Sequence, residues 1–245
     1  FPYTTLFRST GSAFGFVKIK PYAIVCVDYV SSLIRDRSPI DYKAKAEALA
    51  LKAIRKKAVD ILINGVTESG SLVTYGMLNG VDKDGSAMYQ TVTLGAAIGP
   101  NTLRTIALNY GSDETIDGPA TLVLRKDQLQ LFGGVRGTNE KAPLYKIVYD
   151  EGSVTEGVLS EGGTSVRFII SSKLPAGKMI YGILRNYELD LFSDVKVEID
   201  GSYKFAEGMD TIRATADLGG NIVVPNGIAV ITQASTGSGA ELTYI

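Results

Sequence analysis

Residues 38–65 constrain the fold more than any other stretch of this chain. Ser38 is a good helix N-cap, and Pro39 suits the first helical position, where its missing N–H would be unpaired anyway. Asp41 then falls in the first turn, where the helix dipole favours negative charge. Leu51, Ile54, Ala58 and Ile61 recur at helical spacing and mark one apolar face, while Lys45, Lys52, Lys56 and Lys57 fall largely elsewhere. Asn64-Gly65 supplies a left-handed stop. The pattern predicts a helix over residues 39–63, about 25 residues and roughly 37 Å long. A rod of that length exceeds the width of a small domain, so the remaining elements have to be laid along it as along a spine.

The remaining elements read mostly as β. The segment "FGFVKIKPYAIVCVDYV" (14–30) is rich in aromatic and β-branched residues and predicts an extended run interrupted at Pro21. After Gly65, "SLVTYGML" and "AMYQTVTL" are strand-like and flank the turn "NGVDKDGS". A second helix is predicted over Pro100–Tyr110, with Leu103, Ile106, Ala107 and Tyr110 on one face and Gly111 ending it. "ATLVLR" predicts a strand, "KDQLQLF" a short helix and "GGVRGTN" a loop. Strands follow in "PLYKIVYD", "TSVRFIIS", "GKMIYGIL", "NYELDLF" and "VKVEI". The stretch 203–232 reads as two long strands joined by a turn at Gly219-Gly220-Asn221, and "QASTGSGAELTYI" reads as a mobile tail. Many short strands with two or three helices make an α+β fold.

Composition removes several function classes. The 245 residues, 45% hydrophobic and 21% charged, suit one large domain or two interleaved subdomains. A formal charge of -1 lacks the surplus of Lys and Arg that a dedicated nucleic-acid binder carries. The basic residues of the long helix share it with Asp41, Glu47 and Asp60 and no aromatic interleaving, which predicts a solvated face. No apolar run reaches the length of a membrane helix. The chain has no histidine, which removes Ser-His-Asp and Cys-His catalysis and the usual zinc sites. Its single cysteine, Cys26, cannot form an internal disulfide and sits in an apolar run as a small core residue. "DKDG" resembles the start of a calcium loop, but Thr93 stands at the twelfth position from Asp82, where a glutamate is needed. The glycines of "GGVRGTN" lack the Gly-Lys-Ser/Thr of a phosphate cradle. No catalytic, cofactor-binding or metal residue is assigned, and no cofactor is expected. The acids of "NYELDLFSDVKVEID" leave a carboxylate-dependent enzyme, such as a glycosidase, as a distant alternative. That chemistry needs two facing carboxylates in a concave pocket.

The order of these segments resembles the major capsid protein of tailed bacteriophages, the Hong Kong 97-like fold. The likeness is carried by the stretch from Phe14 through Asp41, by the helix ending "DILING", and by "LPAGKMIYGILRNYELDLF" with Pro175, Gly177, Tyr181-Gly182 and Asn186-Tyr187. It continues in the final long strands with Phe205, Met209 and Arg213. The resemblance implies a long spine helix (39–63), a peripheral domain and an axial domain. Residues 10–91 would form part of the peripheral domain, 92–190 the axial domain, 191–227 the peripheral hinge strands, 228–233 a return strand to the axial domain and 234–245 a tail. It implies a structural subunit, not an enzyme. Hexamers and pentamers of such subunits close an icosahedral phage head around double-stranded DNA, with no sequence-specific binding and no membrane. Portal and scaffold or maturation-protease partners follow, as does a location in the virion after assembly in the host bacterial cytoplasm. An encapsulin-type nanocompartment shell is the runner-up, since it shares the fold.

The opening "FPYTTLFRS" (1–9) resembles a translated sequencing adapter and is excluded from fold reasoning. The expected consequence is a reading frame extending upstream of Thr10 by on the order of a hundred residues. That extension would carry the N-terminal arm and outer loop of the family, without which this chain is expected not to close shells. Recovery of the genomic contig checks this; a start codon immediately before Thr10 would overturn it.

Overall fold

The computed structural model describes residues 17–31, 42–111, 116, 118–137 and 142–234. The capping signals at Ser38, Pro39 and Asp41, the opening nine residues and nearly all of the tail lie outside them. Two larger sheets and a small hairpin organise the described residues. In the first, β12 (Met209–Ile222) is the central strand. Antiparallel to it lie β1 (Tyr22–Ser31) on one side and β10 (Tyr187–Leu191) and β11 (Lys196–Lys204) in succession on the other. The second sheet has seven strands in the order β4 (Gln90–Leu94), β13 (Ile228–Gln233), β9 (Lys178–Gly182), β5 (Thr121–Leu124), β8 (Thr164–Ile170), β7 (Glu156–Glu161) and β6 (Lys146–Tyr149). It is mixed, with β13 parallel to β4 and β5 parallel to β8. A hairpin of β2 (Val66–Glu68) and β3 (Ser71–Thr74) stands apart.

The long helix, α1 (Tyr42–Asn64), lies on the four-stranded sheet. Ala50, Ile54 and Ile61 are buried against Ile24, Ala214, Ala216 and Leu218. The two alanines of β12 leave room for a helix backbone to come close, and Cys26 is partly buried against the same cluster. One expectation is corrected here. Leu51 is 37% exposed, and Ala50 holds the buried position instead. The contact stripe is centred one residue earlier than the larger apolar side chains suggest, because the small residues of β12 select a small partner. Leu49 and Val59 are exposed as well.

The seven-stranded sheet is buried on both faces at its centre. Leu122 and Leu124 of β5 join a core with α2 (Thr102–Leu108) and α3 (Lys126–Gly134), through Leu103, Ile106, Leu129 and Phe132. Val123, pointing the other way, joins Ile180, Ile228, Met77, Met88, Ile63 and Ile222. This two-sided burial is why "TLVL" is apolar without alternation. The second cluster also joins the two sheets, since Ile63 ends α1 and Ile222 ends β12. Gly65 takes φ 67° to stop the helix, and its N–H bonds to Ile61 O at 2.8 Å. The last carbonyls of α1, which have no partner within a helix, are met from the following loop. Met77 N–H bonds to Leu62 O (2.8 Å), Leu78 N–H to Ile63 O (3.1 Å) and Asn79 Nδ2 to Asn64 O (2.7 Å).

The turn expected at Gly219-Gly220-Asn221 is a second correction. These residues continue β12 without a break, paired with β10 through Asp190↔Gly219, Leu189↔Gly220 and Glu188↔Asn221. The reversal comes later, at 223–227, where Asn226 takes φ 58° and Gly227 N–H bonds to Val224 O at 3.0 Å. The glycines serve close approach. A Cβ on Gly219 would overlap the Lys20 carbonyl on one face, and a Cβ on Gly220 would overlap the Tyr187 hydroxyl on the other. Two strands were not read from the sequence, β2 and β7. "SLVTYGML" and "AMYQTVTL" do not pair with each other: β3 pairs with β2, and β4 runs beside β13. The helix at 100–110 spans Thr102–Leu108, Gly111 follows it at φ 90°, and Gly133-Gly134 close α3 rather than open a loop.

Gly220→Ala is expected to cost about 1–3 kcal/mol through overpacking. Tyr187→Phe is expected to cost about 1 kcal/mol alone by losing its hydrogen bond to Tyr75 O. Combined, the two should cost less than their sum, because the phenylalanine lacks the overlapping oxygen. Urea denaturation of the four chains checks this; strictly additive costs would rule out the contact.

Candidate functional site

Among the described residues no group of three or more His, Cys, Asp and Glu could hold a metal. The "DKDG" turn shows where its acid goes. Asp82 Oδ1 accepts the N–H groups of Asp84 and Ser86, each at 2.8 Å, so the carboxylate closes its own turn. A cleft of about 890 Å³ between residues 96–100 and α3 is lined by Ala96, Ile98, Pro100, Leu131 and Val135, with Asp127 and Arg136 also in its lining. Asp127 is paired with Arg125 at 3.1 Å. No catalytic pair converges there.

The buried polar groups are structural. Tyr187 donates to Tyr75 O (2.7 Å), and burial pushes its phenol well above the usual range. Tyr110 donates to Gly227 O (2.7 Å) and accepts from Ile183 N–H (3.0 Å). Burial raises this phenol too, against the opposing hydrogen bonds of Ile183 and Asn186. Asn221 Nδ2 donates to Val81 O (2.9 Å) and Lys18 O (3.2 Å), tying the segment before β1 to the end of β12. Glu161 accepts from Asn101 N–H at 2.7 Å through one carboxylate oxygen; the other has no hydrogen-bond partner among the described residues.

The prominent surface is the face of the four-stranded sheet opposite α1. Successive strand residues point to opposite faces, so the register sets Val25, Val27 and Tyr29 of β1 beside Thr215, Arg213 and Thr211 of β12. Lys196, Glu198 and Asp200 of β11 lie beyond them. Val25, Val27 and Tyr29 are exposed. A groove of about 350 Å³ runs between Tyr29, Tyr203, Arg213, Glu198 and Asp200. It holds two carboxylates, but they stand side by side on one strand rather than facing each other, and both are exposed. Asp200 is occupied by Ser202, whose hydroxyl and N–H donate to it at 2.6 and 2.8 Å and hold its carboxyl below the usual range. The other acids of "NYELDLFSDVKVEID" lie along β10 and the loop after it with no facing partner acid.

The sheet ends in a projecting tip. A register shift between Asp200 and Lys204 carries the chain into the short 3₁₀ turn Phe205–Glu207. Lys204 Nζ bonds to Glu207 at 2.9 Å and stands 4.5 Å from the centre of the Tyr29 ring. Beside it, Tyr203 is 73% exposed and Phe205 83% exposed. Leu189, Leu191 and Phe192 are also uncovered. Two large aromatics held out at one tip bring no stability to the single chain and suit contact with a partner. Phe205 was named in the sequence; Tyr203 and the open face were not, because only strand register brings them together.

In sequence, no protein-family model and no curated protein matches the chain. In structure, the capsid of the empty GTA particle matches with TM-score 0.66 at 15% identity, covering 89% of this chain and 74% of that one. The encapsulin of the holo-SrpI complex from Synechococcus elongatus PCC 7942 matches with TM-score 0.59 at 18% identity, over 91% and 78%. A chain from Gordonia phage Cozz matches with TM-score 0.60 at 12% identity, over 89% and 71%. At such identities the likeness is one of fold. The mixed helix-and-sheet architecture expected from the sequence resemblance is the one the chain adopts.

Tyr203→Ser with Phe205→Ser is expected to leave the urea midpoint within about 0.5 kcal/mol of the parent, as for surface positions, while weakening concentration-dependent self-association in sedimentation velocity. Loss of stability without loss of association would assign the tip to the fold instead.

Proposed function

We propose that the chain is a structural subunit of an icosahedral phage head, assembling into hexamers and pentamers that enclose double-stranded DNA. The observation that carries this reading is the match over about 90% of the chain to the capsid of a GTA particle, to an encapsulin and to a chain from a Gordonia phage. Exposed apolar surface on the four-stranded sheet and its tip supports it, since shell cohesion comes from broad contacts between copies. So does the position of the acids, which leaves a carboxylate-dependent enzyme without a facing pair.

In this reading α1 is the spine helix. The four-stranded sheet with α1 is the peripheral domain, drawn from 10–91 and 191–227 together with β10 (Tyr187–Leu191), which pairs into this sheet although most of it lies in the stretch 92–190. The seven-stranded sheet is the axial domain, drawn from 92–190 and closed by the return strand 228–233. The pairing of β13 with β4 and β9 supports such a return. Portal and scaffold or maturation protease are the expected partners, and the virion is the expected location after assembly in the host bacterial cytoplasm. None of the described helices is long and apolar enough to cross a membrane.

The SrpI match supports a second reading, a nanocompartment shell around an enzyme cargo. Expression of the complete reading frame that contains these residues, followed by electron microscopy, tests both. Uniform icosahedral particles are expected, with nuclease-protected DNA inside when formed with the packaging genes. Particles filled with a co-encoded enzyme would select the second reading. A dispersed monomer at high protein concentration would overturn both.

A further inference from the structure

The layer made by α1 and the four-stranded sheet is electrically unequal on its two sides. On the outer side of α1, Lys45, Lys52, Arg55 and Lys56 are all exposed, and none makes an ion pair among the described residues. The acids of this helix do not offset them. Asp60 is taken by Lys57 at 3.2 Å and by the Asn64 amide at 2.9 Å, and Glu47 is half-buried. The opposite side carries Glu188, Asp190, Glu198 and Asp200 against Lys196 and Arg213, by their places in the strand register. A chain of formal charge -1 thus gathers exposed cations, unpaired among the described residues, on one helix face.

The spacing also matters. Lys45, Lys52 and Lys56 follow one another along the helix over about 16 Å. Duplex DNA carries one phosphate charge per roughly 1.7 Å of its axis with both strands counted, so a stretch of that length carries about ten phosphates, of which only those on the near side can be met. Leu49 and Val59 lie among the cations. Between Lys45 and Lys56 no aromatic residue occurs to stack on bases, and the helix is packed flat on its own sheet rather than projecting into a groove. Such a face can meet a phosphate backbone without reading it.

We propose that the outer face of α1 is the side of the subunit turned towards duplex DNA, holding it by sequence-independent phosphate contacts through Lys45, Lys52, Arg55 and Lys56. The inference rests on the shell reading and adds to it which face is inward. It refines the expectation of a plainly solvated helix face.

The test is fluorescence anisotropy of the purified chain with a 30-base-pair duplex of arbitrary sequence, titrated at 50 to 200 mM NaCl. Four phosphate contacts imply a loss of affinity of about 10²-fold across that range, unchanged when the duplex sequence is scrambled. K45Q/K52Q/R55Q/K56Q is expected to remove most of the binding and nearly all of the salt dependence. K45R/K52R/K56R should retain both, which separates charge from any fault in folding. Substitution of the exposed Lys83, Lys126 and Lys146 by Gln should change nothing. Unchanged affinity and salt slope in the quadruple variant would overturn the inference. So would no binding by the parent at 50 mM NaCl, or binding of polyglutamate in place of DNA. Electron microscopy of the complete frame reads the shell reading separately: particles that form while the quadruple variant still binds DNA would remove the inference and leave the shell intact.

Discussion

Everything in this structure passes through the last four residues of β12. Gly219–Ile222 is packed from both faces and paired along its edge with β10. On one face lies the backbone at Lys20, on the other the Tyr187 ring, and Ile222 enters the core that also takes Ile63 from the end of α1. After the five residues 223–227 the chain becomes β13 in the seven-stranded sheet. At the two glycines the backbone of β12 is therefore in direct contact with the Lys20 backbone on one face and the Tyr187 ring on the other, with no room for a side chain of its own. Two glycines in sequence are the only way to present opposite faces of one strand to two neighbours at that distance.

From this junction the two sheets differ in how they meet solvent. The seven-stranded sheet is covered at its centre on both faces and is a conventional core. Away from this junction, and among the described residues, the four-stranded sheet is covered by α1 on one face alone, with valines, tyrosines and charged residues on the other and two aromatics at its tip. A single chain has no stability to gain from that arrangement, and an assembly of copies does. In the shell reading proposed above, which the likeness of fold to a GTA capsid and an encapsulin supports, such a layer is one tile among many. The unequal charge of the two sides of the layer then has a natural reading as inside and outside.

Much of this was legible in the residues. The long helix and its Asn64-Gly65 stop, the second helix through Leu103 and Ile106, the strand "ATLVLR" and the short helix after it all follow from periodicity and local punctuation. The absence of histidine narrowed the chemistry at once. Three readings went astray for definite reasons. Leu51 was taken for core on its helical spacing with Ile54, Ala58 and Ile61, while the alanines of β12 select the smaller Ala50. Gly219-Gly220 was taken for a turn because glycine marks turns locally, while here it marks close approach. β7, "EGVLSE", was passed over because its half-polar alternation gives a weak signal beside "TSVRFIIS", its partner. The interaction surface was the least visible part, since it joins Val25, Val27 and Tyr29 to Arg213 and Tyr203 from remote segments.

The sequence by itself determined the kinds of element, the length of the rod on which they are laid and the range of chemistry available, because those depend on neighbours within a few residues. It also carried enough ordered likeness to name the fold. Only the tertiary structure decided which face of the helix is buried, that β12 runs unbroken through its glycines, and which side chains share the open face. Those outcomes depend on register and on the size of residues a hundred or more positions away, and no local pattern holds that information.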